Sequence, residues 1–469
     1  MPGKSKQWRT VGRCDANQAR YMSDPVVSNS GAPATLKAGS LHWMQVAALG
    51  IAIAISGNVS GWNYGLGVGG WGGMLLAALA MAVLFLSLTQ SLAELAAALP
   101  DAGGFDGYVR RALGPTAAYL AGMSVAIALA VGAGLAVSFS EAYVSAWLGF
   151  GGWPVKIAFL VIVMGLQLRG ASEAVGLTVA VGVAALVILV AFCLFMAPDF
   201  QSARLFSIAP DGARSLLPHG LAGAARCIPF ALFLFLGVEQ SAHAAAEMRD
   251  MARNMPKALA TAIGVAFVIG LCVLLIATGG TGADRLAAVD DPLFAAVTAN
   301  PGRTGAAFMV RLVGAGALVA LLGTFFSLAY AGSRQFYHLA QAGFLPKVFG
   351  SVNARQAPSA AVYLVGIIAL ATAAFAPNNA MVVFIFLISV SHFLILAAFL
   401  RLRAQEPRLP RTYRALGGSP MAAVALVLSL AVMVSCYQLE VRALQVAIVA
   451  IALLIAQFVW LKPARLRAS

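Results

Sequence analysis

ISGNVSGWNYGLGVGG, residues 55–70, is the stretch whose reading decides the fold. It lies inside an apolar segment that runs from Leu41 past Met74. That segment is long enough to cross a bilayer, but its composition is wrong for an uninterrupted spanning helix. Glycine costs about 1 kcal/mol per residue against alanine in a helix interior. Asn58, Ser60 and Asn63 add polar groups that are expensive in lipid. Irregular backbone at membrane depth is tolerated only where protein buries it or where it lines a watery cavity. Ser56–Trp62 therefore reads as a break in the first membrane helix. A second break, Phe235–Gln240 (FLGVEQ), follows about 180 residues later and carries Glu239. Paired interruptions at corresponding places in two halves mark a transporter's substrate site.

The rest of the chain agrees with a membrane setting. Of its residues, 61% are hydrophobic and only 10% are charged, and apolar runs recur throughout. The net charge of +14 does not indicate nucleic acid, because the basic residues sit between apolar runs rather than on a soluble domain. The five cysteines have no metal-ligand spacing, so neither a metal site nor a disulfide framework is expected. No nucleotide-binding loop, catalytic triad or bound cofactor is indicated. The chain reads as a non-enzyme whose transport is driven by a gradient or by exchange, with a small molecule and the lipid bilayer as its partners.

Twelve spans are expected, at 42–68, 72–99, 116–147, 153–168, 172–197, 221–247, 256–280, 303–337, 358–376, 379–402, 421–439 and 441–461. Residues 1–40 read as a disordered cytoplasmic tail, 41–402 as a ten-helix transport core, and 403–469 as a linker with helices 11 and 12. With the N-terminus inside, 23 Lys and Arg face the cytoplasm and six face outward, while Arg226 and Arg311 fall within spans. That bias places both termini inside. Spans 1–5 and 6–10 each open with an interrupted helix, and each includes one very long helix. Five spans per unit is odd, so the second unit must be inverted: a five-plus-five inverted repeat, all-α.

The candidate binding residues cluster at the two breaks. From the first come Ser56, Gly57, Asn58, Val59, Ser60 and Trp62. From the second come Phe233, Phe235, Gly237 and Gln240, whose aromatic faces attract a cation by about 0.5–2 kcal/mol. Glu239 is the candidate for proton coupling, since a carboxylate inside the membrane is by default functional. His243, four residues on, is a second titratable candidate. Gly57, with Asn58 and Ser60, is expected to form the opening, and Gly61, Gly65 and Gly69 to pack the upper half-helix. Glu94, Glu141 and Glu173 read as interfacial or structural. Thr324 and Ser327 offer hydroxyls for a sodium ion.

Three further motifs point to a family. ALPDAGGFDGYVRRALGP (Ala98–Pro115), GVEQSAHAAAEMRDMARNMPKAL (Gly237–Leu259) and SRQFYHLAQAGFLPKVF (Ser333–Phe349) resemble loops of the amino acid–polyamine–organocation permeases, in the expected order. SGNVSGWNYGLGVGGWGGML (Ser56–Leu75) looks most like the ethanolamine permease branch. The resemblance implies the sodium-coupled leucine transporter fold, with alternating access around broken helices 1 and 6. It also implies an aromatic wall at Phe233, proton linkage at Glu239 and a place in the bacterial inner membrane. The chain departs from the branch in having Asn58 where an Asp is usual, no acid in VAIALAVGAG (Val125–Gly134), and only Glu247 of a usual glutamate pair. Ethanolamine is the leading substrate and an amino acid the alternative. A transporter-like nutrient sensor would need a signalling tail, and no such motif is legible in the first 40 residues.

Overall fold

The computed structural model describes residues 42–99, 105–169, 171–208, 216–239, 241, 248–299, 301–375 and 377–461. All of them lie in one compact unit, Leu36–Ser469. The described residues are helical, with no β-strand among them. Eight helices are long and apolar enough to cross a membrane, and four shorter apolar helices lie at Trp43–Val59, Trp153–Leu168, Gly220–Leu234 and Ser359–Thr372.

The main helices, in chain order, are α1 (Trp43–Val59), α2 (Tyr64–Ala98), the short amphipathic α3 (Phe105–Leu113), α4 (Pro115–Leu148), α5 (Trp153–Leu168), α6 (Ala171–Met196) and α7 (Gly220–Ala231). After these come α8 (Met251–Thr281), the short α9 (Ala283–Leu286) and α10 (Pro292–Thr298), α11 (Ala306–Gln341), α12 (Ser359–Thr372), α13 (Pro377–Gln405), α14 (Gly418–Ser435) and α15 (Val441–Leu461). α2 is two helices in one: Gly70, at φ 72°, bends it between a short first part and a long second part.

α4 and α11 form the axis of the bundle and pack along one another. With 34 residues, α4 is about 51 Å long at 1.5 Å per residue, well beyond the ~30 Å of a hydrocarbon core. Its stripe of Ala, Gly and Val lets neighbours approach closely: a Cβ on Gly132 would stand 2.9 Å from the Phe384 ring, and one on Gly134 2.6 Å from the Ala369 carbonyl. α1, α2, α7 and α13 complete the interior, while α5, α14 and α15 flank it. The outer faces are apolar and open, with Val161, Leu194, Val427 and Leu453 each more than 60% exposed. A water-facing surface would not carry them; a lipid-facing one does. Arg226 and Arg311 lie on these open faces, where their long stems can reach the interface.

Candidate functional site

The first break is where α1 stops. The helix continues through Gly57 and Asn58 and ends at Val59, so the unwound stretch is Ser60–Asn63, starting four residues later than Ser56–Trp62. Asn58 does not open the helix, because its side-chain amide folds back and donates to the Ala54 carbonyl at 2.9 Å. Gly57 is present for proximity: a Cβ there would come within 1.7 Å of the Phe233 carbonyl oxygen, so only glycine lets α1 touch the second break. Gly61, expected to pack, instead makes the turn at φ 100°, a conformation that side chains resist. Gly65 and Gly69 do pack, against Phe230 and Cys227 of α7.

A helix end leaves carbonyls without intrahelical partners. Here Trp62 Nε1 donates to the Asn58 carbonyl at 3.0 Å, and the Tyr143 hydroxyl of α4 donates to the Val59 carbonyl at 2.9 Å. The turn is clasped from the other side by the connection between α8 and α10. Asn63 Nδ2 donates to the carbonyls of Leu286 (2.7 Å) and Val289 (2.8 Å). The Ser60 and Tyr64 hydroxyls bond to the Asp290 carbonyl and carboxylate. Beside them, burial pushes the Asp291 carboxyl up to about 6.

The second break follows α7. A 3₁₀ turn, Leu232–Leu234, leads into an unwound Phe235–Gly237 with Gly237 at φ 99°. The carboxylate of Glu239 folds back on this turn: Oε2 accepts from the Gly237 N–H at 3.0 Å. Its other oxygen, Oε1, faces Nε2 of His392 on α13 at 3.1 Å, with both side chains buried. The Phe85 ring stands edge-on to His392 and packs against Phe235, which stacks in turn on Phe267.

Between the breaks lies a small cavity lined by Ile53, Gly57 and Ser60, by Gly132, Leu135, Ala136 and Phe139 of α4, by Phe233 and Leu236, by Leu321, Thr324 and Leu328 of α11, and by Phe384 of α13. No lining side chain is charged, and only Ser60 and Thr324 carry a side-chain hydroxyl. Among the expected binding residues, Gly57, Ser60 and Phe233 reach it. The others that the structure describes face elsewhere. Asn58 lies against Gly270 of α8, Val59 and Trp62 are engaged in capping, Phe235 packs between α2 and α8, and Gly237 packs on Ile53. The Ser56 side chain, Gln240 and His243 lie outside the described residues. Glu239 sits beside the cavity rather than in its lining, tied to a residue that the sequence reading passed over. The one available signal for His392 was an ionisable residue inside an apolar span.

Of the other acids singled out in the sequence, Glu94 and Glu141 are structural, and the Glu173 side chain lies outside the described residues. Glu94 accepts from Arg403 (2.6 Å), Arg411 (2.9 Å) and the Ala415 N–H (2.7 Å), fastening α2 to the α13–α14 connection. Glu141 accepts from the Gly152 N–H. Thr324 and Ser327 spend their hydroxyls on carbonyls of α1 and α11.

Two unwound helices meeting at a cavity inside a lipid-facing helical bundle are the architecture of a carrier, and the amino acid permease profile matches residues 41–458. The chain belongs to the amino acid permease family. This permease is a multi-pass membrane transporter. It is 25% identical over 344 residues to an uncharacterized transporter of Rhizobium meliloti, covering 72% of this chain and 73% of that one. It is 28% identical over 350 residues to an aromatic amino acid transport protein of Corynebacterium glutamicum, covering 72% and 73%. In fold it is similar to the crystal structure of a manganese transporter from Eremococcus coleocola bound to an aromatic bis-isothiourea compound. That match has a TM-score of 0.59 at 14% identity, over 92% of this chain and 97% of that one.

Proposed function

We propose that this permease carries a neutral amino acid with an apolar side chain, by alternating access around the breaks in α1 and α7. The supporting observation is the cavity lining: apolar walls, no charged side chain, and unwound backbone on two sides. A zwitterion suits such a site. Its ammonium is matched by the negative C-terminal ends of α1 and α7, and its carboxylate by the positive N-terminal end of the following half-helix. Its side chain fills the space among Leu135, Phe233 and Phe384. A bare amine has no carboxylate waiting in the lining, because Glu239 is already engaged with His392. The aromatic amino acid relative is in keeping with this choice.

In the same reading the chain has twelve spans in a five-plus-five inverted repeat over 41–402, helices 11 and 12 appended, and both termini in the cytoplasm of a bacterial cell. The second substrate reading is ethanolamine. It is favoured by the likeness of Ser56–Leu75 and by the Ser60 hydroxyl at the cavity, which suits an amino alcohol. Purified protein in liposomes, loaded with labelled L-phenylalanine or L-leucine and challenged with unlabelled alanine, arginine and ethanolamine, tests the choice. Apolar amino acids are expected to be taken up and to compete with each other. Uptake of ethanolamine, with no competition by any amino acid, overturns it.

A further inference from the structure

From the buried Glu239–His392 contact we infer that the coupling group of this transporter is a pair, not a single acid, and that His392 of α13 carries half of it. The inference rests on the transporter reading above and deepens it.

The geometry is specific. Glu239 belongs to the unwound end of α7, and its Oε2 is committed to the Gly237 amide, which leaves Oε1 for the imidazole. The two residues are 0% and 1% exposed, so their net charge matters. With one proton between them the pair is neutral overall, as a carboxylate with an imidazolium or as a carboxylic acid with an imidazole. With no proton or with two, it leaves an uncompensated charge in a water-poor interior, which is costly. One proton shared across the contact is therefore the arrangement that leaves no net charge buried there. Once separated and hydrated, an ordinary histidine gives up its proton above about pH 6.5 and a glutamate above about pH 4.3. Separating α13 from the α7 break at neutral pH releases that proton, and rejoining them takes one up.

Two more observations favour exchange at this point. In either neutral form Nδ1 of His392 carries a hydrogen, and Nδ1 has no hydrogen-bond partner among the described residues. The Ser389 and Ser391 hydroxyls, on the same turn of α13, likewise have none, and both are buried. Buried polar atoms in native proteins nearly always find partners, so three orphans on one turn mark the place where a second arrangement supplies them. The pair also adjoins the substrate cavity: Phe384 of its wall is eight residues before His392 on α13, about 12 Å along the axis.

Other ionisable groups around the pair are spent elsewhere. The described part of α1 has none. On α2, Glu94 is held by Arg403 and Arg411 of the α13 side, and Tyr64 by Asp290. On α4, Tyr119 bonds Gln457, Glu141 the Gly152 amide and Tyr143 the Val59 carbonyl. Arg253, Lys257 and Cys272 of α8 are exposed, and α3 meets α13 near Glu406, which binds Arg111. On α13 itself, Arg401 bonds Gln405. α14 has no ionisable side chain, and Arg442 of α15 is exposed.

Two arms test this on the full chain. The first needs no substrate: thermal melts of purified wild type beside the double variant Glu239→Gln/His392→Gln, from pH 6 to 8.5. Unfolding the wild type above pH 6.5 releases the pair's proton, so its melting temperature is expected to fall, relative to the double variant, as pH rises. Parallel curves overturn the pair. The second arm measures accumulation of L-phenylalanine in liposomes under an imposed inward proton gradient. One coupled proton gives about tenfold greater accumulation per pH unit. His392→Gln is expected to bind substrate within about threefold of wild type, yet to lose that tenfold response, with the double variant no worse than either single one. A His392→Gln protein that accumulates like wild type overturns the inference. Should no amino acid accumulate in wild type while the melts differ, the amino acid reading falls and the pair stands.

Discussion

At the end of α1 the free carbonyls of Asn58 and Val59 are taken by an indole and a phenol, and the turn beyond is clasped by backbone carbonyls near residue 290. At the end of α7 the turn is held by a carboxylate that reaches back to Gly237 and across to an imidazole. Both breaks satisfy exposed backbone inside the bundle, as any unwound helix at membrane depth requires. They do so with different chemistry. None of the donors that cap the first break titrates near neutral pH. The second contains a carboxylate and an imidazole, and a free imidazole does. The proposed coupling implies a division of labour: the first break shapes the site, and the second makes its state depend on protons.

Four substitutions press on that division. Gly57→Ala is expected to have the largest effect, because its Cβ would lie 1.7 Å from the Phe233 carbonyl and would push the two breaks apart. Liposome uptake should drop by about 100-fold or more, equivalent to roughly 3 kcal/mol. Near-normal uptake would mean that the breaks need not touch. Tyr143→Phe comes next. It leaves the Val59 carbonyl buried and without its donor, at a cost of about 1–3 kcal/mol. The melting temperature should fall while the shape of the pH–uptake curve stays that of wild type. A changed curve would erase the distinction between the breaks.

Asp291→Asn should act through pH alone. The folded carboxyl titrates near 6 because burial disfavours its charge, against about 3.9 when unfolded. Between those values the folded state holds the extra proton. The site's contribution to stability is therefore greatest below about pH 4 and is lost as pH rises through 6. The Asn variant should flatten that part of the melting profile between pH 4 and 6 and gain on wild type above it; unchanged slopes would remove Asp291 from the clasp. Arg111→Ala should do least. Its ion pair with Glu406 is 40% and 33% exposed, and pairs of that kind contribute about 0–1 kcal/mol. A loss of uptake there would show that the end of α13 is held more tightly than its exposure suggests.

The helices themselves were legible in the sequence because each is an apolar run punctuated by charge, proline or glycine. α5, expected at 153–168, is found at Trp153–Leu168. The location of the first break was less legible. Gly57 and Asn58 are helix breakers by propensity, but what the sequence does not display is that one faces a carbonyl of another helix and the other bonds its own. His392 was harder still. It lies 153 residues from Glu239, and nothing in ISVSHFLIL (388–396) announces a partner. Proximity along the chain pointed instead to His243, whereas proximity in space depends on how α13 crosses the end of α7.

The bend at Gly70 has a mechanical consequence. The short segment that follows the first break runs into the long part of α2 through one glycine and no loop. A tilt imposed on Tyr64–Gly69 is thus passed to a rod of 28 residues, Trp71–Ala98, about 42 Å long. Near the rod's far end Glu94 is bolted to Arg403 and Arg411. The molecule has a crank: its handle adjoins the first break, its pivot is a single glycine, and its output shaft is the connection between α13 and α14.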